Sequence, residues 1–250
     1  MITLKSAHEI ELMRRAGKIT AAARALAGEM VKPGVTTREI DKAVFHFIRS
    51  QGAEPSFLNY NGYPASVCVS VNDEIIHGIP GDRILHEGDI VSVDVGARYR
   101  GFNGDCAGTF PCGQCSDEAL RLIRITRQSF FEGIRFARVG YRISDIGHAI
   151  QDYAESYGYS LVREYVGHGV GRNMHEAPEI PNYGAPGHGP KLLRGMTIAV
   201  EPMVNAGTAA IRQMSDGWTV KTRDGKYAAH YENTILITAG EPEILTAPAP

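Results

Sequence analysis

The sequence predicts an α/β (α+β) protein with two similar halves, each of which packs helices against strands. Two observations support this fold class. Helix signals and strand signals follow one another in the order helices, strands, helices, strands. No clear linker interrupts the 250 residues, whose number suits one large domain, so we expect a single domain over residues 1–250.

Four helices are predicted from their start signals and from the glycines or prolines that follow them. Ser6 and Thr36 each precede a glutamate by three residues, the spacing of a capping box in which both side chains satisfy free backbone N–H groups. Ser116 and Ser144 are N-cap residues of the same type. The predicted helices cover residues 6–30, 36–52, 116–139 and 144–157.

The predicted strands are runs in which apolar, β-branched residues alternate with polar ones. Residues 90–97 have this pattern, and residues 99–110 should pair with them as a hairpin. Two Asp-Gly pairs, at residues 216–217 and 224–225, mark tight turns. The other predicted strands cover residues 66–71, 197–203, 207–211, 218–222 and 231–238, and the tail 247–250 should fray.

Composition and charge exclude several classes of function. The chain has 26 Lys and Arg against 28 Asp and Glu, so no basic excess favours nucleic acid. No segment approaches the ~20 apolar residues of a membrane helix, and the N-terminus is too polar for a signal peptide. We therefore expect a cytoplasmic protein with no membrane association. Cys112 and Cys115 have C-x-x-C spacing without a second pair, which favours ordinary loop cysteines over zinc ligands or a redox dithiol.

Two aspartates of the predicted hairpin should lie close together, although their negative charges repel each other. Asp94 interrupts a valine-rich strand, where an unpaired buried carboxylate is costly. If the turn centres on Tyr99 and Arg100, Asp94 and Asp105 lie directly opposite each other. Like charges in that position destabilise a sheet, so a metal ion between them is the natural partner.

Three further residues add to this acidic pair. Glycines flank His168, which lets the backbone approach a bound group closely and aims the imidazole. Glu201 and Glu232 interrupt predicted apolar strands in the second half. Singly, each residue is more often a satisfied hydrogen-bonding group than a ligand. Together, four buried carboxylates require cations.

The chemistry of this donor set favours two divalent ions. Four carboxylates and one imidazole suit Mn(II), Fe(II) or Co(II) at least as well as Zn(II). Two ions supply four positive charges, which match the four carboxylates. At a separation of ~3.5–4 Å, two ions share a water and turn it into a hydroxide nucleophile at neutral pH. The sequence thus predicts a two-metal hydrolase.

The ordered set Asp94, Asp105, His168, Glu201 and Glu232 resembles the metal-ligand pattern of the type I methionine aminopeptidases. That family shares the pita-bread fold with aminopeptidase P, prolidase and creatinase. The resemblance covers residues 10–238 and implies two pseudo-symmetric halves, with helices packed on a curved, largely antiparallel sheet. Its most specific segments are NGYPASVC (61–68), NDEIIHGIP (72–80), GHGVG with HE (167–171 and 175–176) and DGWTVKT (216–222).

The resemblance also implies a role for each ligand. Asp94 and Asp105 would each touch a metal, and Asp105 and Glu232 would bridge both ions. His168 would bind one ion. Glu201 would bind a metal and carry a proton between the bridging hydroxide nucleophile and the leaving amine.

Residues around the metals would bind the substrate. By the same resemblance, His175 would donate a hydrogen bond to the scissile carbonyl. His77 would contact the peptide near the departing amine, although without its sequence context it could be an ordinary turn residue. Phe57 stands where the best-known bacterial pattern often has a cysteine, and Met174 occupies a variable apolar position. Further positions that match the methionine pocket are Tyr60, Tyr63, Cys68 and Trp218.

The implied function is removal of the initiator methionine from nascent proteins when the second residue is small. The implied cofactor is two divalent ions (Co, Mn, Fe or Zn). The implied substrate is the N-terminus of a nascent polypeptide at the ribosome exit, and we expect the enzyme to be a monomer. Two alternatives stay open. One is a proline-specific peptidase of the same fold, like aminopeptidase P or prolidase. The other is a non-catalytic pita-bread binding protein.

Overall fold

A computed structural model describes residues 1–247 of the chain. Four helices run over Ala7–Met30 (α1), Thr37–Ser50 (α2), Asp117–Ile134 (α3) and Ile143–Ser156 (α4), and Tyr60–Gly62 form a 3-10 turn. The first seven strands are β1 (Glu54–Pro55), β2 (Val67–Val71), β3 (Glu74–Ile76), β4 (Ile90–Tyr99), β5 (Phe102–Pro111), β6 (Ser160–Leu161) and β7 (Gly167–Gly169). The others are β8 (Glu176–Ile180), β9 (Thr197–Val200), β10 (Met203–Asn205), β11 (Ile211–Gln213), β12 (Val220–Thr222), β13 (Ala228–His230), β14 (Asn233–Leu236) and β15 (Glu243–Ile244).

The strands form four sheets, and each strand pairing in the described residues is antiparallel. In the first sheet, β4 pairs with β5 along one edge and with β1 and β2 along the other. A five-stranded sheet has the order β15-β14-β9-β7-β8. Two three-stranded sheets have the orders β13-β10-β6 and β11-β12-β3. This mixed, antiparallel architecture confirms the predicted fold class.

Each half has its own apolar core. In the first half, Ile40, Val44 and Ile48 of α2 are fully buried and belong to one cluster with alanines of α1 and valines of β2 and β4. In the second half, α3 and α4 contribute residues such as Leu122 and Ile146 to a cluster with strands β8, β9 and β14. The amphipathic pattern of the helices thus decides which face packs on the strands.

A row of hydrogen bonds joins the first sheet to the segment that carries Glu232. Alternate residues of β5 contact alternate residues of 230–234, either through the backbone or through a threonine hydroxyl. The contacts pair Asp105 with Thr234, Ala107 with Glu232, and Thr109 with His230. Side chains on alternate residues of a strand share a face, so this row brings acidic residues of both halves to one side.

The β4–β5 hairpin turns one residue later than expected. Arg100 and Gly101 have φ values of 46° and 85°, as a two-residue type I′ turn requires, and Gly is well suited to that position. Asp94 therefore pairs with Ala107, and Asp105 pairs with Gly96. The two aspartates are diagonal neighbours on one face of the sheet. The expectation that they are directly opposed was wrong, because the residue opposite Asp94 lies two positions beyond Asp105.

Local hydrogen bonds explain the other differences from the predicted elements. Helix α3 ends at Ile134 because the next residues form tight i+3 turns. Helix α4 begins earlier than Ser144 because Asp145 accepts a hydrogen bond from the Arg142 N–H at 2.7 Å. Pro202, which has no N–H, divides the predicted strand 197–203.

Aspartate side chains that accept from backbone N–H groups shorten two more of the predicted strands, and several observed strands were not predicted. The predicted strand 207–211 starts only at Ile211, since Asp224 accepts from the Thr208 N–H at 2.8 Å. Asp216 accepts from the N–H groups of Trp218 and Thr219, so β12 starts at Val220. The sequence did not predict β1, β3, β6, β7, β13 or β15, because each has only two or three residues. It did not predict β8 because Pro178 interrupts the strand pattern there.

Two further expectations concern the tail and the cysteines. The predicted fraying of residues 247–250 falls mainly on residues 248–250, which lie outside the described residues. All four cysteines are free. Burial raises the pKa of Cys112 to about 11, so it would be a thiol at neutral pH, as expected of a loop cysteine. Within residues 1–247, no helix is both long enough and apolar enough to cross a membrane.

A largely buried ion pair fixes the N-terminal segment to the start of β8. Lys5 Nζ lies 2.6 Å from Glu176 Oε2, and the two side chains are 6% and 11% exposed. Glu176 also accepts hydrogen bonds from the Thr3 hydroxyl and the Asn173 N–H. Burial alone would raise the pKa of Glu176, but these donors outweigh it and hold the pKa below its usual value.

We predict that Lys5→Met lowers the free energy of unfolding by about 3 kcal/mol, because it leaves a buried carboxylate without its partner. Urea unfolding would measure the change, with the exposed Lys32→Met as the matched control. Lys5→Met combined with Glu176→Leu should recover much of the loss, since an apolar pair replaces the ion pair. A single variant as stable as the wild type would contradict this role.

Candidate metal centre

All twelve site residues predicted from the sequence line one cavity of about 510 Å³. The acidic residues and His168 come from strands of both halves or from the residues beside them. The structure therefore brings together every predicted ligand and every predicted pocket residue. Lining residues that the sequence analysis missed are Asn61, Ile76, Glu164, Tyr165 and Val166.

Three of the acids and two histidines form two overlapping groups with metal-ligand spacing. One group is Asp105, His168 and Glu232, and the other is Asp94, His230 and Glu232. Within each group, one ligand atom from each residue lies within 4.8 Å of the others. Glu232 belongs to both groups, as expected of a residue between two cations.

The carboxylates lack the partners that buried anions need. Asp94 Oδ1, Asp105 Oδ1 and Glu232 Oε1 are buried without a hydrogen-bond partner among residues 1–247. Burial and then repulsion from neighbouring carboxylates raise the pKa of Asp94 and Glu232 well above their usual values. Unpaired oxygens of this kind fit divalent cations, which supply both the missing charge and the missing contacts.

Glu201 has different surroundings from the other three acids. Its Oε1 lies 3.8 Å from His168 Nε2, and its Oε2 lies 3.5 Å from His230 Nε2. Burial alone would raise the pKa of Glu201, but the imidazoles of His230 and His168 outweigh it and lower the pKa. Of the four carboxylates, Glu201 is thus the one whose environment favours the ionised form, which can accept a proton.

His168 is held with one nitrogen facing the carboxylates. Its Nδ1 lies 2.9 Å from the Gly169 carbonyl, and its Nε2 lies 3.5 Å from Asp105 Oδ2. When Nδ1 donates to that carbonyl, the lone pair of Nε2 is free for a metal, as is usual for ligating histidines. One of the flanking glycines is also needed for packing between strands, which the sequence analysis did not predict. A Cβ at Gly167 would collide with the Ala199 carbonyl, so glycine permits close approach of β9.

Tyr60 orients His175. The Tyr60 hydroxyl lies 2.8 Å from His175 Nδ1, and the two rings stack with centroids 5.3 Å apart. Desolvation in the cavity and the nearby His168 lower the pKa of His175 to about 4, so the ring is neutral at neutral pH. If Tyr60 donates to Nδ1, the proton of His175 is on Nε2, which makes that atom a hydrogen-bond donor to the cavity.

His77 has an uncommon backbone conformation. Its φ of 60° is left-handed, which typically costs a non-glycine residue about 1–3 kcal/mol and is concentrated at functional sites. The ring packs edge-on against Tyr165 and Trp218, with centroid distances of 5.6 and 6.3 Å. The structure thus positions His77 in the cavity wall through backbone strain that the sequence cannot show.

An apolar wall of aromatic and sulfur-containing side chains lies beside the acids. Phe57, Tyr63, Cys68 and Met174 are buried and form one cluster, with Tyr60 and Trp218 packed against it. A Cβ at Gly96, which pairs with Asp105, would come within 2.7 Å of the Phe57 ring. Glycine there lets Phe57 and Met174 reach the acidic cluster, so one cavity combines charged and apolar walls.

The comparison with protein families agrees with this geometry. The model of metallopeptidase family M24 matches residues 11–239. This chain belongs to metallopeptidase family M24.

Relatives of this M24 chain are similar over almost the whole length. A methionine aminopeptidase of Clostridium acetobutylicum is 54% identical over 247 residues, which are 98% of this chain and 99% of the relative. Methionine aminopeptidase 1 of Bacillus subtilis is 50% identical, with the same coverage. The crystal structure of the methionine aminopeptidase from Thermotoga maritima has a TM-score of 0.97 at 45% identity and covers 98% of this chain and 99% of that one.

A more distant structure shares the fold alone. The prolidase from Pyrococcus furiosus has a TM-score of 0.79 at 24% identity. The match covers 99% of this M24 chain but 66% of the prolidase.

We predict that Glu232→Gln raises the melting temperature of the metal-free protein at neutral pH. The folded protein has a raised pKa at Glu232, so the cost of this carboxylate to folding is absent below the usual pKa of 4.5, grows as the pH rises from there toward the folded value, and is constant above it. The difference in melting temperature between variant and wild type, measured in chelator, should therefore shrink as the pH is lowered toward 4.5.

Added divalent ions should reverse the order, because the wild-type carboxylate then gains its partner. A wild-type melting temperature that is the same with chelator and with added metal would count against a shared metal site.

Proposed function

We propose that this M24 protein is a methionine aminopeptidase that removes the initiator methionine from nascent proteins when the second residue is small. One observation carries the proposal: the acidic cluster and the apolar, sulfur-containing wall share a single cavity. An unbranched thioether side chain fits such a wall, because methionine is flexible and makes favourable contacts with aromatic rings. The names of the relatives with 50% and 54% identity support the same function.

The proposed cofactor is two divalent ions, with Co, Mn, Fe and Zn as candidates. Asp94, Asp105, His168, Glu201 and Glu232 would hold them, with Asp105 and Glu232 shared. When bound, the ions would neutralise the carboxylates, lower the pKa of a shared water and polarise the scissile carbonyl.

The side chains around the ions would divide the remaining work. Glu201, whose surroundings favour ionisation, would accept a proton from the attacking water and pass it to the leaving amine. His175 would donate from Nε2 to the carbonyl oxygen as negative charge develops there. His77 would contact the peptide near the departing amine. The apolar wall would exclude water from the methionine side chain. The residues proposed to form this methionine pocket are Phe57, Tyr60, Tyr63, Cys68 and Trp218.

The proposed setting follows from the substrate. Nascent N-termini emerge at the ribosome exit, so we place the enzyme in the cytoplasm, acting there as a monomer. Residues 1–250 would form its single catalytic domain.

A peptide assay separates this proposal from a proline-specific relative. The protein loaded in turn with Mn(II), Fe(II), Co(II) and Zn(II) should release methionine from Met-Ala-Ser and leave Ala-Pro peptides intact. A preference for Ala-Pro peptides would overturn the assignment in favour of an aminopeptidase P or prolidase activity. No turnover with any ion would favour the non-catalytic alternative.

We predict that Glu201→Gln abolishes turnover while the fold is retained. Loss of the proton carrier should reduce kcat at least about 100-fold, the usual scale of general acid–base catalysis. Circular dichroism and a melting curve would check the fold, and Glu155→Gln on the exposed surface of α4 is the matched control. A Glu201→Gln enzyme with wild-type kcat rules out the proposed proton carrier.

A second substitution tests how His175 is oriented. Tyr60→Phe retains the stacked ring and removes the hydroxyl that faces His175 Nδ1. The loss of about 1 kcal/mol should lower kcat about fivefold with little change in KM, because the other tautomer of His175 becomes accessible. If KM rises instead and kcat is unchanged, Tyr60 serves only as a wall of the methionine pocket.

A further inference from the structure

His230 is a buried residue beside the carboxylates of the metal centre, and the sequence analysis assigned it no role. It is 1% exposed, and neither ring nitrogen has a hydrogen-bond partner among the described residues. Its Nε2 lies 3.5 Å from Glu201 Oε2 and 3.8 Å from Glu232 Oε2. An imidazole buried without partners is costly, so a partner for Nε2 is expected between these two carboxylates.

We propose that His230 is a sixth ligand of the metal centre, through Nε2, so that each of the two metal positions receives one imidazole. This inference rests on the proposed dinuclear centre. The second ligand group, Asp94, His230 and Glu232, has the same spacing as the group that contains His168. Glu201 lies between the two imidazoles, with one oxygen toward each.

The backbone of His230 is fixed in the orientation that this role requires. The His230 N–H donates to the Thr109 hydroxyl oxygen at 2.9 Å, and the Thr109 hydroxyl donates to the His230 carbonyl, also at 2.9 Å. Glu232, two residues on, is fixed in the same way against Ala107 of β5. Since residues two apart share a face of an extended chain, His230 and Glu232 point to the same side.

A role limited to orienting Glu201 fits the geometry less well. The 3.5 Å between His230 Nε2 and Glu201 Oε2 is longer than the 2.7–2.9 Å of a charge-assisted hydrogen bond. It is compatible with two atoms that share a metal, since ligands ~2.1 Å from one ion and at right angles are ~3 Å apart.

A second imidazole changes the expected metal preference. Nitrogen ligands suit Zn, Fe and Ni, whereas oxygen ligands suit Mn and Mg. His230→Gln, which replaces the imidazole with an amide of similar reach, should therefore shift the relative affinity of the centre toward Mn(II).

The direct test counts the nitrogens bound to metal. The protein, labelled with ¹⁵N in its histidines and loaded with two equivalents of ¹¹³Cd²⁺, should show one-bond ¹⁵N–¹¹³Cd coupling to the Nε2 atoms of two histidines. His230→Gln should remove one coupling and His168→Gln the other. His77→Gln, a histidine of the same cavity with no ligand role, should retain both.

The possible outcomes separate this inference from the proposed function. Coupling from one histidine, lost in His168→Gln, overturns the role of His230 and leaves the dinuclear centre intact. No coupling from any histidine overturns the centre itself. The wild-type count needs no substitution, so it decides the question even if His230→Gln does not fold.

Titration calorimetry with Cd²⁺ gives an independent measure. His230→Gln should weaken one of the two binding events by more than 100-fold, beyond the usual 10- to 100-fold effect of an outer partner. A change of about 100-fold or less in both events would contradict direct ligation.

Discussion

Repulsion among four carboxylates in one cavity is the constraint on which the rest of this structure depends. Asp94, Asp105 and Glu232 each have a buried oxygen with no hydrogen-bond partner in the part of the chain that the structure describes. Hydrogen-bonded strands hold their backbones, so none of them can turn away to water. The two hairpin aspartates are on paired strands, and the backbone of Glu232 is bonded to Ala107. A fold that fixes anions so firmly is stable and useful when cations are bound between them.

The same rigidity explains how the neutral parts of the site are oriented. Tyr60 fixes one nitrogen of His175, and Gly169 fixes one nitrogen of His168. The Lys5–Glu176 pair holds the segment just after His175 against the N-terminal segment. Side chains held in this way would need little rearrangement before the proposed reaction, which is the usual benefit of a preorganised site.

Much of the site could be predicted from the sequence, because buried acids in apolar strands are chemically conspicuous. Asp94, Asp105, Glu201 and Glu232 were identified in this way, and the starts of α1, α2 and α3 followed from their capping residues. What could not be predicted depends on register and on contacts between distant strands. The hairpin register was misplaced by two residues because Tyr99–Arg100 and Arg100–Gly101 are both plausible turns in the sequence. His230 was missed because its burial arises only when Thr109 of β5 pairs with it, although the spacing His-x-Glu was a usable signal.

The two-residue turn at Arg100 and Gly101 has a consequence for how this chain can change over evolution. Asp94 and Asp105 share a face only while the number of residues between them keeps its parity. Inserting or deleting one residue without a compensating bulge would send one carboxylate to the opposite side of the sheet, whatever the new residue was. The length of the hairpin is thus constrained together with the acids that it carries, because both decide where the carboxylates lie.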